Sequence, residues 1–146
     1  MFLSLSRSAF VLPLVVAVLA LNPAPVVAQE LNWLAAASYA FTGNEGNVYE
    51  GVLRDGRARP GGRFTATFVS EIGEGGLDGS NVIQFGGPHT LRLAFHYDFT
   101  ATGGAGVFVV VGGTGRFANA SGSGATWFED NGDGTGNVVF AGTLSK

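Results

Sequence analysis

Three polar side chains that could do chemistry lie on one face of a single predicted strand. The strand covers residues 90–99, and Arg92, His96 and Asp98 share the same parity along it, so their side chains point to one side of a sheet. A carboxylate two residues from a histidine can tune the imidazole as an acid or base, and a guanidinium can orient a substrate. The alternative is that these residues form the solvent face of a half-buried strand. They are the candidate catalytic group.

The composition argues against a metal or a cofactor. The chain has no cysteine and only two histidines, His89 and His96, which have opposite parity, so a zinc site is not expected. Residues 129–134 (EDNGDG) superficially resemble a calcium loop, but Phe140 stands where an EF-hand needs its glutamate. We interpret this segment as a hairpin turn.

A glycine-rich segment follows a strongly hydrophobic strand near the C-terminus. Residues 113–118 (GTGRFA) fit the pattern G-x-G-x-x-[GA], which binds dinucleotides only where it opens a helix. Gly122 and Gly124 oppose a helix here. The pattern therefore predicts a tight corner, with Phe117 plugging one end of the core. The corner residues are Gly112, Gly113, Gly115 and Phe117.

Alternating apolar and polar residues identify the strands. The clearest example is residues 90–99, where Leu91, Leu93 and Phe95 are expected to face the core, followed on the same face by Tyr97 and Phe99. Glycine-rich and proline-containing turns separate the segments. The predicted strands are residues 33–42, 48–53, 63–72, 77–85, 90–99, 106–111, 120–128 and 135–144.

These segments predict an all-β fold. Eight short strands without a helical segment are typical of a single-domain antiparallel β-barrel, with a β-sandwich as the alternative. Closure into a barrel would also remove exposed edges. An eight-stranded barrel can be filled by its own side chains or can hold one small ligand, and the pattern leaves both open. The residues expected to be buried are Phe64, Phe68, Leu93, Phe95, Phe108, Val110 and Phe140.

The N-terminus has the layout of a secretory signal peptide. Arg7 precedes an apolar run from Ala9 to Leu21, and small residues lead up to Ala28. The run is shorter than the ~20 residues that span a bilayer as a helix. We predict cleavage near Ala28, a secreted or periplasmic product consisting of residues 29–146, and no integral membrane segment after cleavage. In a eukaryotic secretory pathway Asn119 would be a glycosylation site.

The negative net charge of the chain argues against a nucleic-acid partner. The chain carries a net charge of −3, and nucleic acid demands clustered positive charge, so no nucleic-acid partner is expected. Four arginines nevertheless fall within ten residues: Arg54, Arg57, Arg59 and Arg63. This group could grip an anionic polymer, and a solvated loop explains it as well.

The corner carries a family resemblance. Residues 109–117 (VVVGGTGRF) and 120–124 (ASGSG) resemble the strand and GGTG corner of allene oxide cyclase-like and dirigent-like barrels. They look closer still to small exported bacterial proteins with a GGTGRF corner. The resemblance implies an eight-stranded antiparallel barrel with an apolar interior able to hold a small organic ligand. The catalytic positions of those families have no counterpart that a motif locates here.

The sequence therefore predicts an exported barrel that binds a small hydrophobic molecule and is not an enzyme. One alternative is a cyclase or isomerase on the same scaffold, and another is a structural or surface-interaction protein with a filled core. The sequence does not determine the oligomeric state, and a sheet edge or an apolar outer face could serve a homo-oligomer.

Overall fold

A computed structural model describes residues 29–146 as a closed antiparallel barrel of eight strands, in which each strand pairs with its sequence neighbours and the last pairs with the first. The sandwich alternative is therefore wrong. The predicted signal peptide, residues 1–28, lies outside the described residues. The strands are β1 (Glu30–Glu45), β2 (Val48–Arg59), β3 (Gly62–Gly73), β4 (Gly76–Gln84), β5 (Thr90–Phe99), β6 (Gly103–Thr114), β7 (Ser121–Asp130) and β8 (Thr135–Ser145).

Closure depends on the two terminal strands. β1 is the longest strand and pairs with β8 from Glu30 opposite Ser145 to Ala40 opposite Thr135. The barrel thus leaves no open sheet edge among the described strands, as closure requires. Within residues 29–146 no helix has both the length and the apolar character needed to cross a membrane.

All eight predicted strands are present, but several are longer than predicted. β2 continues to Arg59 rather than ending at residue 53, because a bulge at Asp55, which has a φ of 54°, lets the strand resume its pairing with β3. β6 likewise extends over glycines at both ends. Glycine reads as a turn signal in sequence, yet here the neighbouring strands hold it extended.

The predicted core is confirmed with two exceptions. Leu93, Phe108 and Phe140 are almost completely buried, and Phe64, Phe95 and Val110 are also buried. Phe68 is only partly buried. Phe99 was expected to face the core, but 53% of it is exposed, because β5 ends there and the chain turns away.

Glycines and aromatic rings face each other in the barrel interior. An added methyl group at Gly51 would lie 2.2 Å from the ring of Phe68, its partner across the β2–β3 ladder. Five further pairs show the same arrangement: Gly56 with Phe64, Gly79 with Phe95, Gly104 with Phe128, Gly124 with Phe108, and Gly136 with Tyr39. Each ring occupies space that any side chain larger than hydrogen would fill. The high glycine content is thus a packing requirement as well as a turn signal.

One end of the barrel is sealed at the glycine corner. Residues Gly115–Phe117 form a 3₁₀ turn after β6, and Gly115 has a φ of +59°, which disfavours any side chain. Phe117 is 2% exposed, and its ring centroid lies 4.9 Å from that of Phe85. The guanidinium of Arg116 lies 4.9 Å above the Phe117 ring and donates a hydrogen bond to the carbonyl of Gly61. We call this the closed end.

Candidate functional site

The structure places the predicted polar trio on the outer surface of the barrel. Arg92 and Asp98 are exposed, and His96 is half-buried beside them. Interior positions of β5 are taken by apolar side chains. The hypothesis that these residues act on a ligand inside the barrel is therefore dropped, because their side chains point away from it.

His96 bridges two carboxylates on this surface. Its Nδ1 lies 2.7 Å from Oδ1 of Asp78, its partner across the β4–β5 ladder, and its Nε2 lies 3.3 Å from Oδ1 of Asp98. Both ring nitrogens can donate at once only in the imidazolium form. The hydrogen bond to Asp78, followed by that to Asp98, raises the pKa of His96 above its ordinary value.

This bridge predicts a pH-dependent contribution to stability. Because the folded pKa is raised, the contribution is complete below the unfolded value of about 6.5 and is lost as the pH rises through the folded pKa. We expect wild type to exceed His96→Gln in free energy of unfolding by more at pH 5.5 than at pH 8.5, measured by urea denaturation. Asp78→Asn should remove most of this pH dependence. An unchanged difference between the two pH values would contradict the bridge.

The opposite end of the barrel, which we call the mouth, is open. A recess of about 450 Å³ lies there between the strand ends. It adjoins a smaller cavity of about 50 Å³ inside the barrel, and Phe41, Ser70, Leu77 and Phe128 line both spaces. The interior itself is therefore nearly filled, and the space of ligand size is in the mouth.

Aromatic rings form most of the lining of the inner cavity, which is the floor of the mouth, and part of the lining of the recess. The Tyr97 and Phe128 centroids lie 4.9 Å apart in an edge-to-face arrangement, and Phe41 and Tyr49 lie 5.3 Å apart at the rim. Tyr39 packs edge-on against Phe128 at 5.9 Å. Such rings offer large, rigid apolar surface to a bound molecule.

One buried hydroxyl in this lining has no partner. Tyr39 is 6% exposed, and its hydroxyl makes no hydrogen bond within residues 29–146. Burial raises the pKa of Tyr39, and the nearby Asp130 carboxylate raises it further through its negative charge and as a hydrogen-bond acceptor, although the two groups do not reach hydrogen-bond geometry. The hydroxyl therefore stays protonated at neutral pH and can act as a donor. An unsatisfied buried polar group is costly, and this one lies in the lining of the small inner cavity that adjoins the recess.

The other tyrosine of the floor is satisfied. The Tyr97 hydroxyl lies 2.8 Å from Oγ1 of Thr126, which donates to the carbonyl of Val139 at 2.8 Å. Burial raises the pKa of Tyr97 to about 12. Tyr97 thus serves the core, and Tyr39 is the tyrosine free to bind.

The acidic segment at the mouth is a turn. Asp130 accepts a hydrogen bond from the Gly132 amide at 2.6 Å, and Asp133 accepts from the amide and hydroxyl of Thr135. The hydrogen bonds from Thr135 lower the pKa of Asp133. Both carboxylates are used by the turn itself, as in Asx turns. Among the described residues, no group of three potential metal ligands comes together.

An uncharged apolar surface covers part of the barrel exterior. On β6, Val107, Val109 and Val111 are each about half exposed, and Trp127 on β7 is 42% exposed. Leu34 on β1 is 51% exposed. A homo-oligomer, which the sequence leaves open, could use this surface.

Comparison with protein-family models, curated proteins and solved structures finds no match to this chain. The resemblance to allene oxide cyclase-like and dirigent-like barrels therefore stays a prediction. The architecture it implies is present, but architecture alone hosts many unrelated activities.

Sequence analysis missed the polar residues of the mouth. Ser70 and Asn81 are 2% and 3% exposed and line the inner cavity with Tyr39. A signal was available, because each has the same parity as the apolar residues of its strand. A polar residue on the core face of a strand needs an explanation, and a ligand is one.

Proposed function

We propose that this protein binds a small apolar molecule with one polar group in the mouth of its barrel. The observation that carries this proposal is the recess of about 450 Å³, which adjoins a small inner cavity lined by Tyr39, whose buried hydroxyl makes no hydrogen bond within residues 29–146. Small-molecule sites are concave, mostly apolar and contain a few convergent polar groups. The mouth has these properties, in the exported form that the N-terminus predicts.

The geometry also supports an orientation for the ligand. The closed end is blocked by Phe117 and Phe85, so a ligand enters from the mouth. A polar group that accepts a hydrogen bond would reach into the inner cavity to pair with Tyr39, and the apolar body would lie in the recess among Phe41, Tyr49 and Phe128. Pairing would offset the desolvation of the tyrosine hydroxyl.

The chemistry of the lining favours binding over catalysis. Asp130 is the one carboxylate among the residues that line the two spaces of the mouth, and its side chain is engaged in its own turn. An acid–base pair on a cyclase-type enzyme would need two positioned groups. We therefore assign no catalytic residue to the mouth.

A cavity-filling variant tests the proposal. Ser70 lines both spaces of the mouth, so Ser70→Leu should fill the passage between them. We expect 1-naphthol, an apolar probe with one hydroxyl, to bind wild type and to bind Ser70→Leu at least tenfold more weakly. Nuclear magnetic resonance titration of amide shifts, with urea unfolding to verify the fold, measures both.

The matched control is Ser80→Leu, at an exposed position on the outer face of β4. It makes the same chemical change outside the barrel, so its affinity for 1-naphthol should equal that of wild type. Equal affinity of wild type and Ser70→Leu, or shifts that map to the outer valine surface, would exclude the mouth as the site.

A further inference from the structure

The arginines of the chain are concentrated on one side of the barrel. Four of the six arginines in residues 29–146 lie on β2 or at the start of β3, and all four are exposed. Arg57 and Arg63 are direct partners across the β2–β3 ladder, with both side chains on the outer face. Two positive charges therefore stand side by side on a chain whose net charge is negative.

Nothing in the described part of the chain neutralises this pair. The ion pairs found within residues 29–146 are those of His96, on β5, and neither Arg57 nor Arg63 forms a side-chain hydrogen bond there. Like charges directly opposite each other destabilise a sheet. Asp55, in the bulge beside them, forms no ion pair with either arginine. Repulsion between the two arginines thus lowers the stability of the fold.

Two further side chains that can donate hydrogen bonds lie next to the arginine pair on the outer face. Thr65 follows Arg63 on the outer face of β3 and pairs with Gln84 across the β3–β4 ladder. A groove of about 370 Å³ is lined by both arginines together with Thr65 and Gln84. Two guanidinium groups, a hydroxyl and an amide thus border one small concave surface, and Asp55 is the one carboxylate among the residues that line it.

We propose that this groove binds a phosphate monoester group. Guanidinium forks match the oxygens of phosphate and carboxylate. A single carboxylate carries one charge, which one arginine neutralises. A phosphate monoester carries a charge of about −1.5 to −2 and three acceptor oxygens, so it can accept from Arg57 and Arg63 together and from Thr65 or Gln84. This site lies on the outer wall and is independent of the mouth.

Titration with phenyl phosphate tests the site. We expect Arg57→Gln and Arg63→Gln to weaken binding at least tenfold at physiological salt, measured by calorimetry. Arg92→Gln is the charge-matched control, because Arg92 is an exposed arginine on β5 that does not line the groove, and it should change affinity less than twofold. Benzoate should bind wild type at least tenfold more weakly than phenyl phosphate.

A second arm identifies the source of the phosphate. Sedimentation with vesicles of phosphatidic acid and phosphatidylcholine, against phosphatidylcholine alone, asks whether a lipid headgroup is bound. Loss of either phenyl phosphate or vesicle binding in Arg57→Gln but not in Arg92→Gln supports the site. Equal losses in both variants, or no binding of wild type in either arm, overturn it. Urea unfolding without ligand provides an independent test, because Arg57→Gln should unfold at no lower urea than wild type.

Discussion

Replacing Phe140 with alanine is expected to lower the free energy of unfolding by about 3–5 kcal/mol, the range for deleting a buried phenylalanine. Phe140 is fully buried on β8, and its ring centroid lies 5.7 Å from Phe108 and 6.2 Å from Trp33. The three rings form the middle of the interior, where the closed wall of strands limits collapse around a deletion. Urea denaturation monitored by circular dichroism measures the change.

The control for this prediction is Phe99→Ala, which removes the same atoms from a side chain that is 53% exposed. Its effect should be less than half as large, since surface substitutions seldom change stability strongly. A loss of under 1 kcal/mol for Phe140→Ala would show that the interior relaxes into the space. The tightly packed rings would then not be the main source of stability.

The second large effect concerns a glycine–ring pair. A methyl group at Gly56 would lie 2.5–2.7 Å from three ring atoms of Phe64, its partner across the ladder. We expect Gly56→Ala to destabilise the barrel by about 1–3 kcal/mol through overpacking. Phe64→Ala alone should cost about 3–5 kcal/mol. In the double variant the methyl no longer meets a ring, so its loss should approach that of Phe64→Ala alone.

The coupling energy of this double-mutant cycle tests the pairing. We expect the double variant to be at least 1 kcal/mol more stable than the sum of the two single losses predicts. Gly73→Ala is the matched control, because a methyl group there meets no atom within 4 Å, and it should change stability by no more than about 1 kcal/mol. Additive losses from Gly56→Ala and Phe64→Ala would mean that the ring does not depend on the glycine.

The strands were predictable from the sequence because their alternation is local. In β5 the apolar residues Leu91, Leu93 and Phe95 alternate with polar ones, and the structure buries all three. Phe99 is exposed although it has the parity of the buried residues, because alternation does not show where a strand ends. Gly103 and Gly104 fall between the predicted strands, in a segment typical of a turn, but they belong to β6, where Gly104 lies opposite the ring of Phe128.

The candidate site was harder to predict because it depends on which strands become neighbours. Asp78 meets His96 only through the register of β4 and β5, and Arg57 meets Arg63 only because the Asp55 bulge shifts β2 against β3. The mouth combines side chains from β1, β3, β4 and β7 that are far apart in the chain. Parity could have identified Ser70 and Asn81, but not the recess they line.

The glycine–aromatic pairs along the inner wall of the barrel also control the width of its interior. Where an aromatic ring packs over a glycine, the width of the barrel interior at that level depends on these two residues more than on the path of the backbone. Gly104 with Phe128 is the pair of this kind nearest the rim of the recess. Exchanging such a couple for two medium-sized aliphatic residues would change the shape of the entrance and leave the eight-strand framework in place, so ligand preference can change without redesign of the scaffold.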